Sequence, residues 1–289
     1  MITEWSRYRK KSPGKDDVVV KKRIMTGVLV AVFYIMIIAF SHIPVVLKLA
    51  AALLGICAVY ELFRAVGIKS KTPLFICGLI VSAILPFVPI PKYEYVTVVM
   101  FATSIFIFSY LMLNIGKKRY IEPLTTAVIA LTIVFSFKTM SEIRAMENGL
   151  YLLALSILVP VITDIFAYLI GKGCGKHRIF PIISPNKTLE GCIGGLVYSV
   201  GIILLASAIL SYTHIIEFDT EVLVLYVITT SIVGQLGDLA FSSVKRIVRI
   251  KDYGNILPGH GGILDRFDSF IFVLPFTLLF SLYAGPILI

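Results

Sequence analysis

Two aspartates three residues apart, Asp265 and Asp268, stand at the mouth of a long apolar run with Arg266 between them. Just upstream lie Pro258, Gly259, His260, Gly261 and Gly262, and before those Lys245, Arg246, Arg249, Lys251 and Asp252. An i, i+3 spacing puts both carboxylates on one face of a helix. Oxygen-only ligands of this kind suit Mg²⁺, which takes one or two carboxylates together with phosphate oxygens and water. Glycines let backbone approach a ligand closely. A glycine-rich loop feeding a helix start turns free N–H groups toward an anion. The cations upstream supply partners for further phosphates. Each feature alone has an ordinary explanation. Aspartate near a helix start is favoured by capping and the dipole, and Lys or Arg before a membrane helix marks topology. Paired acids entering an apolar span are costly, however, and default to function. Together they predict a metal-assisted, phosphate-handling site.

A second constellation spans residues 164–191. Asp164 and Tyr168 are i, i+4 on one helix face, with Asp164 more than a turn from the helix end. Gly171, Gly173 and Gly175 alternate with Lys172 and Lys176 in a basic loop. Ser184-Pro185-Asn186-Lys187-Thr188 then restarts a helix, with Thr188 or Ser184 as its cap. Between the two blocks, Asp238 sits toward the end of its own apolar run. The helix dipole disfavours a carboxylate there, so a bound cation or an arginine partner is expected.

Both blocks resemble the signature of the phosphatidate cytidylyltransferases. The C-terminal pattern is matched by Ser242, Val244, Lys245, Arg246, Lys251, Asp252, His260, Gly261, Gly262, Asp265, Arg266 and Asp268. The earlier pattern is matched by Asp164, Ala167, Tyr168, Gly171, Lys172, Gly175, Lys176, Ser184, Pro185, Lys187, Thr188, Glu190 and Gly191. The resemblance implies that CTP and phosphatidate give CDP-diacylglycerol and pyrophosphate. On that expectation Asp238 and Asp265 are the principal ligands of Mg²⁺, with Asp268 assisting and room for a second cation. Lys187 and Arg266 face phosphates at the reacting centre. Lys172, Lys176, Lys245 and Arg246 hold the triphosphate or the lipid headgroup. Asp164 organises the polar cavity with Tyr168 and Ser184 nearby, and His260 either donates to pyrophosphate or shapes its loop. A CTP-dependent polyprenol-type lipid kinase is the alternative enzyme, and an ion-coupled transporter the alternative class. Against the transporter, the halves show no obvious repeat and the acids gather at one end.

The chain of 289 residues is 58% hydrophobic and 15% charged. A soluble domain carries about 25% charged residues, so composition indicates an all-α polytopic membrane protein. The net charge of +10 does not indicate a nucleic-acid partner, because the cations fall in short clusters between apolar runs. Cys57, Cys77, Cys174 and Cys192 form no C-x-x-C pair, so neither a zinc site nor a disulfide framework is indicated.

About nine transmembrane helices are expected, at 24–41, 44–66, 73–90, 95–113, 121–141, 149–170, 189–211, 221–241 and 263–287. Pro86 and Pro160 are expected to kink theirs. Residues 1–23 form a basic segment for which a cloning scar, a native tail and an interfacial segment all fit. Residues 24–148 read as a scaffold whose only notable polar residues within spans are Glu61, Arg64 and Lys138, and 149–289 as the catalytic region. Of the 27 basic residues, all but Lys48, Lys92, Lys138, Arg144 and Arg266 fall on one side. That side is predicted cytoplasmic, with the N-terminus and the site facing it, in a bacterial-type inner membrane. The plain first half leaves a lipid-facing surface or a homodimer contact as expectations.

Overall fold

The computed structural model describes residues 13–115, 121–214, 216–257, 261–284 and 287. Pro258, Gly259 and His260, named above, lie outside them, as do residues 1–12. Among the described residues the regular elements are helical: α1 (Pro13–Ala39), α2 (Pro44–Val66), α3 (Pro73–Ile84), α4 (Tyr93–Leu113), α5 (Pro123–Ala145), α6 (Gly149–Cys174), α7 (Leu189–Tyr212), α8 (Thr220–Ile247) and α9 (Leu264–Tyr283). A 3₁₀ turn, Leu85–Phe87, follows α3.

Among the described residues seven helices, α2 and α4 to α9, are long and apolar enough to cross a membrane, where nine were expected. α1 begins at Pro13, well before the expected 24, and Gly27–Ala39 is an apolar stretch within it. α3 falls short for a local cause. In α3, proline has no N–H to continue the ladder and disfavours helical backbone before it. Pro86 therefore ends the α-helix in a 3₁₀ turn where a kink was expected. Prolines also start helices, since their missing N–H costs nothing in the first turn. Pro44, Pro73 and Pro123 open α2, α3 and α5 in this way. α2 closes on Gly67 at φ 86°, the left-handed position that glycine takes without a Cβ penalty.

The hub of the bundle is α9, which packs on α8, α5, α6, α4 and α2. Phe267 sits among the rings of Phe33, Tyr34, Phe137 and Phe270, at centroid distances of 5.5–6.2 Å. Pro275 lies inside α9 and so deprives the Ile271 carbonyl of its helical donor. The Ser136 hydroxyl of α5 donates to that carbonyl at 2.6 Å. Repair from a neighbouring helix is what makes proline tolerable in a membrane helix.

α6 and α7 approach closely because their interface is glycine-lined. A Cβ at Gly191 would overlap the Ala167 carbonyl, and one at Gly195 the Thr163 carbonyl. Small residues at such spacing permit this contact. The Ser231 hydroxyl then bridges Thr163 at 2.9 Å and Ser199 at 2.8 Å, joining α6, α7 and α8. α8, with 28 residues, is roughly 42 Å long and overruns a hydrocarbon core of about 30 Å. Its last turn carries Lys245 and Arg246, at the end where the two basic blocks meet.

Candidate active site

Asp265 and Asp268 lie in the first turns of α9, Asp238 in the second half of α8, and Asp164 in α6. Lys187 is aimed by a turn. The Ser184 carbonyl accepts the Lys187 N–H at 3.2 Å, with Pro185 at the position where proline favours such a turn. The Lys187 ammonium then lies 2.7 Å from Asp238 Oδ2 and donates to the Gln235 carbonyl at 3.1 Å. Asp238, a carboxylate placed against the helix dipole, thus has a basic partner, a lysine where an arginine or a bound cation was expected. Ser242 reaches its other oxygen at 3.4 Å.

Lys245 lies 2.9 Å from Asp265 Oδ1 and 3.9 Å from Asp268 Oδ2. Asp238 and Asp268 are close enough to feel each other electrostatically. Asp164 is close enough to feel Asp238, Lys187 and Arg266 electrostatically. Its side chain lies in mid-helix and is not covered by the neighbouring helices. Side-chain accessibility falls from 29% at Asp238 to 10% at Asp268 and 3% at Asp265. Access therefore narrows toward the start of α9.

The glycine loop has a partner that its spacing did not foretell. Glu61 of α2, buried, accepts the Ile263 N–H on Oε1 at 3.1 Å and the Leu264 N–H on Oε2 at 2.8 Å. The free donors at the start of α9, expected to meet a phosphate, are held by this internal carboxylate. A Cβ at Gly262 or Gly254 would overlap the Glu61 carboxyl. Asp265 reaches backward in the same way. Its Oδ2 accepts the N–H groups of Tyr253 at 2.8 Å and Gly262 at 3.0 Å. Gly261, at φ +86°, passes so close that a Cβ would press on that oxygen. Tyr253 completes the frame by donating its hydroxyl to the Phe241 carbonyl at 2.9 Å. Burial pushes this phenol well above its ordinary value of 10.0, and the charges of Asp265 and Asp268 add to the effect.

Other expected site residues sit farther out. Arg246 donates from Nε to the Ile183 carbonyl at 2.9 Å and from Nη1 to that of Ile250 at 3.4 Å, which latches the two basic loops together. Tyr168 is exposed, and the Lys172 ammonium sits 5.8 Å from its ring centroid on the outside of α6. Lys176 gives its backbone N–H to Glu190 at 3.1 Å, and His177 Nδ1 lies 2.6 Å from the same carboxylate. Glu190 thereby folds the basic loop onto the start of α7, which Thr188, not Ser184, caps by accepting the Gly191 N–H. Ser184 serves through its carbonyl.

Among the described residues no group of three or more His, Cys, Asp or Glu side chains converges on a point that could hold a metal ion alone. The donor set still fits Mg²⁺. Asp238, Asp265 and Asp268 are hard oxygen ligands from two helices, and this ion habitually takes the remainder of its shell from water and substrate phosphates.

Acids and lysines held at one end of a multi-pass helical bundle, with no cage of protein ligands, define a class: membrane-embedded enzymes of phosphate transfer. The family model described as "Cytidylyltransferase family" matches residues 21–284, and the chain belongs to that family. It is 35% identical over 267 residues to the phosphatidate cytidylyltransferase of Staphylococcus aureus (strain COL), covering 88% of this chain and 96% of that protein. It is equally similar, 35% over 263 residues, to the phosphatidate cytidylyltransferase of Bacillus subtilis (strain 168), covering 89% and 95%.

Proposed function

We infer that this protein is a phosphatidate cytidylyltransferase, an integral membrane nucleotidyltransferase that makes CDP-diacylglycerol and pyrophosphate from CTP and phosphatidate. Family membership supports the activity. The observation that carries the site is the convergence of Lys187–Asp238 and Lys245–Asp265–Asp268 from separate elements at one end of the bundle.

A phosphate oxygen of the lipid attacks the α-phosphorus of CTP. The bond from that phosphorus to the bridging oxygen breaks, and pyrophosphate leaves with the electron pair. A phosphomonoester has its second pKa near 6, so the nucleophile is already anionic and needs no strong general base. The chain must instead neutralise crowded phosphates and hold attack in line. Lys187 and Arg266 are assigned to phosphates at the reacting centre. Lys245 and Arg246, with Lys172 and Lys176 at the rim, attract the triphosphate and the headgroup. Asp164 orders the polar opening. Asp238 and Asp265, assisted by Asp268, would hold Mg²⁺, whose contribution when bound is to offset charge on the phosphate oxygens. A second cation would share these carboxylates.

The basic loops support a cytoplasmic site, with the N-terminus on the same side, in a bacterial inner membrane. α4 of the plain first half is, with α7, the least covered span, which supports pairing of two copies there. The test is transfer of cytidine label from CTP into chloroform-extractable lipid by purified protein with phosphatidate and Mg²⁺, using EDTA as control. Metal-dependent label in lipid is expected, and Asp265→Ala should abolish it in a folded protein. Free CDP released when an alcohol lipid is supplied, with no cytidine label in lipid, would make the protein a kinase and overturn the assignment.

A further inference from the structure

Next to the carboxylates, between the end of α2 and the loop after α8, lies a cleft of about 530 Å³. Tyr60 and Arg64 form one wall, Asp252 and Asn255 face them from the loop, and Glu61 lies at the floor. Arg64 is preset: its Nη1 donates to the Tyr60 hydroxyl at 3.2 Å, and the guanidinium sits 5.7 Å from that ring's centroid. Arg64, Asp252 and Asn255 are all exposed.

The charge of the cleft selects its occupant. Two carboxylates, Glu61 and Asp252, stand against one guanidinium, so a triphosphate or an anionic headgroup is disfavoured there. The volume and the mixed donors and acceptors suit a neutral, flat, polar group. Position narrows it further. Tyr253, which lines the cleft with Asp252 and Gly254, gives its backbone N–H to Asp265, so one residue touches both sites. Glu61 likewise serves as floor of the cleft and as anchor of the first turn of α9.

We propose that this cleft binds the nucleoside of CTP, with Asp252, Asn255 and Arg64 reading the base. The proposal rests on the cytidylyl-transfer reading and supplies a base-reading site for it. Cytosine offers an exocyclic amino donor and ring acceptors. Asp252 is an acceptor only, Arg64 a donor only, and Asn255 both. Uracil presents a carbonyl where cytosine presents its amino group, so Asp252 rejects UTP by facing acceptor to acceptor. Tyr60 gives a face for stacking.

The experiment measures initial rates for Asp252→Asn and Asn255→Leu against wild type, with CTP, UTP, varied phosphatidate and pyrophosphate as product inhibitor. Both variants should raise KM for CTP about tenfold or more. Asp252→Asn should also lower the preference for CTP over UTP by about tenfold, because a lost hydrogen bond to a polar substrate edge costs discrimination. Inhibition by pyrophosphate, which has no nucleoside, and KM for phosphatidate should stay within about twofold. An unchanged KM for CTP, or a raised KM for phosphatidate in its place, would overturn the proposal. If a variant is inactive, thermal protection by CMP decides: protection equal to wild type refutes the cleft, and lost protection in a folded variant supports it. Wild type that puts no cytidine into lipid would sink the enzymatic reading itself, an outcome separate from any variant's behaviour.

Discussion

Glu61→Gln isolates one atom's role in holding the reaction centre. In the wild type both carboxylate oxygens accept N–H groups at the start of α9, at 3.1 and 2.8 Å. The amide keeps one acceptor and turns an NH₂ toward the other donor. A charge-assisted hydrogen bond contributes about 1.5–3 kcal/mol, and a carboxylate at a partly buried helix start adds up to about 2 kcal/mol through the dipole. The expected loss of stability is roughly 2–4 kcal/mol, read by thermal unfolding in lipid nanodiscs. The catalytic loss should be larger than the surviving fold suggests. Asp265 and Asp268 ride on the turn that Glu61 anchors, and a small misplacement of catalytic groups can cost about a hundredfold. The assay is kcat for cytidylyl transfer at a temperature where the variant is fully folded, and a fall of about tenfold or more is expected. Gly262→Ala tests the same contact from the other side, since its Cβ must displace the Glu61 carboxyl. Wild-type melting and wild-type kcat in Glu61→Gln would refute the reasoning, because the helix start would then not depend on this anion.

Two further outcomes follow from neighbouring contacts. Ser136→Ala leaves the Ile271 carbonyl, already deprived of a donor by Pro275, unsatisfied in the hub helix; a loss of about 1–3 kcal/mol is expected in thermal unfolding, and none at all would mean that water or relaxation replaces the hydroxyl. Tyr253, whose phenol is raised in the fold, contributes stability that is full below the unfolded phenol's pKa of about 10 and is lost as pH rises toward the folded value; Tm of wild type should therefore fall more steeply than that of Tyr253→Phe between about pH 9 and 11, and parallel curves would contradict it.

The spans were legible where apolar runs ended in strong punctuation. α2 falls on the expected 44–66, and α6 and α7 start where expected, because prolines, glycines and polar caps act locally and a reader can see them. α3 was not legible as less than a full span, because a hydropathy window does not register that Pro86 ends a helix instead of bending it. The site shows the same division. Lysines, aspartates and glycines were identifiable from type and spacing, and a carboxylate set against a helix dipole implied a cationic partner for Asp238, though not that it would be Lys187. What the glycines accommodate was not. Gly261 and Gly262 were expected to make room for phosphate, and in the fold they make room for Asp265 and Glu61.

That exchange has a physical logic. A helix start beside phosphates is an anion site, and any anion can fill it. If α9 spent its free N–H groups on substrate, the turn carrying Asp265 and Asp268 would be ordered only when substrate was bound, and part of the binding energy would go into that ordering. A carboxylate from α2 satisfies those donors permanently, so the two aspartates are in register before phosphates arrive, and the lysines are left to meet them. The only sign in the sequence was a glutamate inside an apolar span, 202 residues from Ile263. Such a residue defaults to function because an unpaired charge there is costly, and its partner becomes visible only when α2 and α9 are seen in contact.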